Sequence, residues 1–186
     1  MKTFDQILQL FQSANEAFLH DGIGLIKDHV SERTLCGELK DHIRDLIRDD
    51  PSYQGYYVDV EYNRNRASVE KNYKTILGPR RKEIRINCDL ILHSRGWNVE
   101  QDNLLALEMK KYDTTSRYAS NRQLDRDRLI AMTKDTYSEE WDGVGLPKHV
   151  CRYVLGVFYE IDYLHRVINL EYYQHGRLYD TDHIDL

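Results

Sequence analysis

The sequence predicts a single α/β sandwich in the order helix, strand, strand, strand, helix, strand, with an extra helix in front. Three observations predict it. Two stretches near the start carry apolar residues at a 3.6-residue period, the mark of amphipathic helices. Two later stretches, Leu90-Ile91-Leu92 and Leu104-Leu105-Ala106-Leu107, are near-continuous apolar runs that suit strands covered on both faces. The 186 residues hold no repeat, low-complexity segment or interdomain linker, and that length suits one core.

The first helix starts at Thr3, whose spacing to Gln6 is that of a capping box. Phe4, Ile7, Leu8, Phe11, Ala14 and Phe18 form its stripe, and Gly22 and Gly24 are expected to end it. A second helix is expected from Glu32 to Arg48, with Ser31 as N-cap. Leu35, Leu39, Ile43, Leu46 and Ile47 form its buried face, and Glu32 projects on that face at the N-terminal end, where the helix dipole favours a carboxylate. Asp49-Asp50-Pro51 stops it. Tyr56 to Tyr62 reads as a strand with Tyr57, Asp59 and Glu61 on one face. Glu83 to His93 reads as a second strand, Ser94 to Asn98 as a turn, and Asn103 to Lys110 as a third strand. Arg122 to Thr133 is expected to be helical, with Leu124, Leu129, Ile130 and Met132 available for burial. Arg152 to Ile161 is a fourth strand, and residues 163–186 fit a hairpin or a short helix equally.

Composition narrows the function. The chain is 41% hydrophobic and 31% charged, without an apolar run near the ~20 residues of a membrane span. Its N-terminal residues lack the long apolar stretch of a signal peptide, so the expected location is the cytoplasm. Three isolated cysteines give no disulfide framework, and eight scattered histidines lack zinc-ligand spacing. A net charge of −5 does not advertise nucleic-acid binding. Locally the balance reverses. Between Tyr62 and Arg85 stand Arg64, Arg66, Lys71, Lys74, Arg80, Arg81, Lys82 and Arg85 against only Glu70 and Glu83, which suits either a phosphate-facing loop or a solvated one.

The chemistry is signalled by charges on apolar strands. A buried carboxylate needs a cation or a partner. Asp89 opens one apolar run, and Glu108 and Lys110 close the other. Strand alternation puts Glu108 and Lys110 on one face and Met109 on the opposite one. If the two strands pair antiparallel, Asp89 comes beside Glu108, and their oxygens converge with the Met109 carbonyl as a partial shell for Mg²⁺. The Lys110 ammonium beside it would orient a water or stabilise developing negative charge.

Asp89, a spacer, then Glu108-Met109-Lys110 on a hydrophobic hairpin resembles the PD-(D/E)XK nuclease superfamily. Further segments, Ser31-Glu32-Arg33, Glu61-Tyr62-Asn63-Arg64 and Asp89-Leu90-Ile91-Leu92-His93-Ser94-Arg95-Gly96, resemble a group of small bacterial members. The likeness covers about residues 31–160 of a single domain spanning 1–186; Cys88 stands where the superfamily usually has proline. It implies a restriction-endonuclease-like αβββαβ sandwich with a mixed central sheet. It implies Asp89, Glu108 and the Met109 carbonyl as ligands of Mg²⁺ (or Mn²⁺), Lys110 as the catalytic lysine and Glu32 as the helix acid near the metal. Glu61, Arg64, His93 and Gln123 are candidate supporting residues; the competing roles are an ion pair with an arginine such as Arg95 for Glu61 and a backbone-satisfied strand end for His93. Arg122, Gln123, Arg126 and Arg128 lie on the helix after the Glu-x-Lys strand, which either faces a nucleic-acid backbone or is solvated. The expected function is metal-dependent endonucleolytic hydrolysis of nucleic acid, DNA foremost, with a homodimer or partner subunit supplying specificity. The alternative is a catalytically silent binding subunit of a larger nucleic-acid-processing or defence assembly.

Overall fold

The computed structural model describes residues 1–64, 75–77, 83–135 and 149–186. Helix α1 spans Phe4–Lys27, α2 Glu32–Arg48 and α3 Ser116–Thr133. The strands are β1 (Tyr57–Val60), β2 (Thr75–Leu77), β3 (Glu83–Arg85), β4 (Leu90–His93), β5 (Asn103–Lys111), β6 (Leu155–Asp162), β7 (Val167–Gln174) and β8 (Arg177–Asp185). Six of them form one mixed sheet in the order β1-β4-β5-β6-β7-β8, while β2 and β3 pair in a small sheet of their own. Neighbours in the large sheet are antiparallel except β5 and β6, which run parallel with α3 between them in the chain.

Strand alternation divides the core into two layers. Leu105, Leu107 and Met109 of β5, with Val157, Tyr159 and Ile161 of β6, pack against α1 and α2. Ala106 and Phe158 face the other way, into a cluster with Leu129 and Met132 of α3. The capping box forms as expected: Thr3 accepts from the Gln6 amide and Gln6 accepts from the Thr3 amide. Ser31 caps α2 through the Thr34 amide, at the expected boundary.

Several sequence expectations need correction. Helix α1 runs through Gly22 and Gly24 to Lys27. Gly22 is buried on the stripe between Phe18 and Ile26, and a methyl group there would lie 3.1 Å from the Phe18 ring and 3.6 Å from Glu38 of α2. Its smallness serves helix packing, so it does not act as a stop signal. The expected strand Glu83–His93 is broken. Residues 86–89 carry no strand pairing, β3 joins the small sheet, and only β4 enters the large one. The expected strand Tyr56–Tyr62 ends at Val60, because Glu61 adopts a left-handed conformation (φ 52°). Leu124 of α3 and Leu46 of α2 are 51% and 46% exposed, outside the buried faces. Helix α3 starts six residues before Arg122, at Ser116, and β6 starts at Leu155 because Arg152 is left-handed (φ 63°). The undecided C-terminus is the hairpin β7–β8.

One polar clamp fixes β1 to β4 at the end of the sheet remote from Lys110. Asp59 accepts from Arg95 through both oxygens, at 2.6 and 2.8 Å, and lies 3.1 Å from His93 Nε2. Burial acts to raise the Asp59 carboxyl, but the hydrogen bonds from His93 and Arg95 outweigh it and hold the group far below the usual carboxylate range. A carboxyl depressed in the folded state contributes stability above its unfolded value, about pH 4, and loses it as pH falls toward the folded one. Urea unfolding should therefore weaken steeply from pH 5 to pH 2.5. Asp59→Asn should cost about 2 kcal/mol at pH 6 and flatten that acid limb; an unchanged limb would show that the clamp contributes nothing.

Candidate functional site

Beyond the end of β4, strand β5 continues with a bare edge. The last pairing between them is Leu90 with Leu107, yet β5 runs to Lys111. On the other side β6 pairs with it throughout this overhang. The N–H groups on the bare edge need partners, since a buried orphan amide is costly. Two carboxylates supply them. Asp89, just ahead of β4, accepts from the Met109 amide at 2.8 Å. Glu32, in the first turn of α2, accepts from the Lys111 amide at 2.9 Å.

Lys110 stands at the centre of this arrangement. Its ammonium donates to the Met109 carbonyl at 2.9 Å and lies 3.4 Å from Asp125, 3.6 Å from Asp89 and 3.8 Å from Glu32. Burial works to lower its pKa, but Asp89, Asp125, Glu32 and Glu108 outweigh it and hold the group above the ordinary lysine range. The side chain is therefore a fixed cation at neutral pH.

Glu108 is held differently. It is 1% exposed, and among the described residues its Oε1 has no hydrogen-bond partner and the nearest cation, Arg128 Nη1, is 4.0 Å away. That same Arg128 nitrogen donates to Asp125 at 2.6 Å. Burial pushes the Glu108 carboxyl well above the usual range, and the charges of Asp89 and Asp125 push it further, against partial opposition from Arg128 and Lys110. Burial likewise raises Asp125, against Lys110 and Arg128. Four carboxyl groups thus share two cations, and Glu108 is the one left without a good partner.

The structure brings together Glu32, Asp89, Glu108, the Met109 carbonyl and Lys110. It does not bring the supporting candidates to Lys110. Glu61 is turned to Arg33 at 3.3 Å, so its arginine is not Arg95, which is taken by Asp59. His93 is buried in the Asp59 clamp with Tyr62 against its ring. Gln123 is exposed on α3 and donates to Asp127. Arg64 is exposed. The rest of the basic run, Arg66, Lys71, Lys74, Arg80, Arg81 and Lys82, lies outside the described residues.

Asp125 is the residue sequence reasoning passed over. The signal was available: Asp125 precedes Leu129 by four residues and Met132 by seven, which puts an acid on the apolar stripe of α3. Two more of the arginines expected on this helix are engaged in ion pairs. Arg122 pairs with Glu160 of β6 at 2.6 Å, and Arg126 with Glu171 of β7.

Among the described residues no group of three or more His, Cys, Asp or Glu side chains is arranged to hold a metal ion, and the cation among these carboxylates is the Lys110 ammonium. The donor set nevertheless suits a hard divalent ion. It is all oxygen, it carries more carboxyl groups than cations, and the orphaned Glu108 Oε1 is an acceptor with no donor. No helix of the described residues is long and apolar enough to cross a membrane. Compared with models of known families, with curated proteins and with solved structures, the chain matches none.

An orphaned buried carboxyl destabilises the fold that holds it. Glu108→Gln keeps the shape and removes the ionisable group, so it should raise stability at pH 7.5 in metal-free buffer. The expected gain is about 1–3 kcal/mol, read as a rise of several degrees in thermal midpoint. A fall of the same size would mean that Glu108 is satisfied where it stands.

Proposed function

We propose that the protein is a Mg²⁺- or Mn²⁺-dependent phosphodiesterase acting on nucleic acid, with a restriction-endonuclease-like core built from α2, β1, β4, β5, α3 and β6. The observation that carries this reading is the orphaned Glu108 Oε1, buried on a central strand beside Lys110 and Asp89. Such a group is retained against its folding cost where it has a ligand to bind. The chain order and the parallel β5–β6 pair across α3 agree with the αβββαβ plan.

Asp89, Glu108 and the Met109 carbonyl would hold the ion, with Glu32 at its water shell. A bound divalent ion supplies Lewis-acid stabilisation of phosphoryl charge and a water of lowered pKa. The chain's own contribution rests on Lys110. Its pKa lies above the ordinary lysine range, so it does not take a proton from water at neutral pH. It acts as a fixed cation that orients the attacking water by donating to its oxygen and counters the negative charge growing on the phosphorus oxygens. Glu32 and Asp89, anchored on backbone amides of β5, hold that ammonium in place. Glu160, beside Lys110 on the next strand, is occupied by Tyr118, Arg122 and Asn169 and takes no part.

A second reading is favoured by one observation. Lys110 already occupies the centre of Asp89, Asp125 and Glu32 as their cation, as it would in a silent binding subunit.

Labelled single- and double-stranded DNA and RNA, incubated with Mg²⁺ or Mn²⁺, decide between them. Cleavage by the wild type should fall at least a thousandfold in Glu108→Ala and Lys110→Ala; retention in both variants overturns the site. Calorimetry gives an independent check. Burial and the neighbouring acids raise the Glu108 carboxyl above its usual range, and a divalent ion takes the ionised form, so metal binding should release protons and tighten as pH rises. No metal uptake and no cleavage would favour the silent subunit.

A further inference from the structure

Beside the carboxylates lies a cleft of opposite character. It measures about 280 Å³ and is lined, among the described residues, by Asn63, Arg85, Ile86, Asn87 and Arg128. No acid lines it. Ile86 is buried at its floor, while Arg85 and Asn87 are exposed at its rim. The cleft adjoins the site through two residues. Arg128 reaches from it toward Glu108 at 4.0 Å, and Asn87 is two residues ahead of Asp89.

We propose that this cleft seats one phosphodiester group of a nucleic-acid strand, next to the group placed at Lys110. The inference rests on the proposed function and names how its substrate is held. The chemistry is that of an anion with several acceptor oxygens. Two guanidinium groups offer planar forks that match phosphate oxygens, and two asparagine amides add neutral donors. Arg128 is pre-organised for this task. Asp125 holds its Nη1 at 2.6 Å, while the side chain stays 30% exposed along the cleft. The volume is below that of a site enclosing a whole drug-sized ligand, so it suits one group of a strand that continues outside. Guanidinium and amide donors on phosphate oxygens position a strand without reading its bases.

The test is binding, measured apart from cleavage. Fluorescein-labelled single-stranded DNA, duplex DNA and RNA are titrated with protein in EDTA, by anisotropy, across a range of salt. An unlabelled mononucleotide and inorganic phosphate compete in parallel arms. Arg85→Ala should weaken strand binding about tenfold at low salt and reduce the slope of log affinity against log salt by about one, equally for every sequence tried. Asn87→Ala should weaken binding less and leave the slope alone. Both positions are exposed, and thermal melting checks that both variants fold. Affinity and slope unchanged in both variants, or a wild type that binds no strand, overturns the proposal. So does competition by inorganic phosphate as effective as that by a strand, since the cleft would then take the free ion. A strand bound through Arg85 but never cut with metal present would sink the hydrolase reading and leave the cleft standing; cutting with Arg85→Ala binding unchanged does the reverse.

Discussion

The bare edge of β5 is the constraint from which the site follows. A central strand that outruns its neighbour exposes backbone amides in a place where water is scarce, and each must be satisfied. Asp89 and Glu32 do this at Met109 and Lys111. Their carboxylates are therefore structural before they are anything else. Once two carboxylates are fixed at the edge, their remaining oxygens create a negative field at the end of β5, and Lys110 answers it. The site is thus over-determined: each acid holds a backbone amide and the ammonium at once. Such shared anchoring keeps side chains in place without help from a ligand.

The opposite wall is built by ion pairs. Helix α3 brings Arg122 and Arg126 down onto Glu160 and Glu171, and Tyr118 and Tyr173 complete these carboxylates with hydroxyl hydrogen bonds. Replacing pairs of this kind by apolar side chains is often neutral or better for stability, so their value lies in fixing where the helix sits. They set the register of α3 on the sheet, which carries Asp125 to Lys110 and Arg128 toward Glu108. Glu160 and Glu171 are fully served. Glu108 alone faces an arginine that has already committed its nitrogen to Asp125.

Much of this was legible in the sequence, for physical reasons. Ser31 and Thr3 announce helix starts through short-range hydrogen bonding, and α2 begins and ends where its residues say. The period-2 placement of Glu108 and Lys110 needs only that β5 be a strand. What could not be read depends on long-range contact. Gly22 looks like a terminator until α2 lies against it. The break between β3 and β4 follows from joining different sheets, which no local pattern records. Glu61 leaves the expected face because its backbone turns left-handed at the strand end, and the resemblance to Glu-Tyr-Asn-Arg carried no information on that turn. Asp125 was legible from its spacing to Leu129 and Met132, but only to an eye looking for acids on apolar stripes.

On the proposed reading, the ammonium and a divalent ion would compete for the same oxygens, and that competition would link stability to binding. One Lys110 ammonium stands among Asp89, Asp125 and Glu32, and burial with the charges of Asp89 and Asp125 raises the Glu108 carboxyl above its usual range. A bound divalent ion would add two charges, favour ionised Glu108 and loosen the hold of the carboxylates on Lys110. Satisfying Glu108 would offset the cost of weakening those contacts, and stability at a given pH would then rise with the concentration of the ion. The backbone amides of Met109 and Lys111 hold Asp89 and Glu32 in place, so such an exchange would be a rotamer change of the Lys110 side chain on a rigid strand.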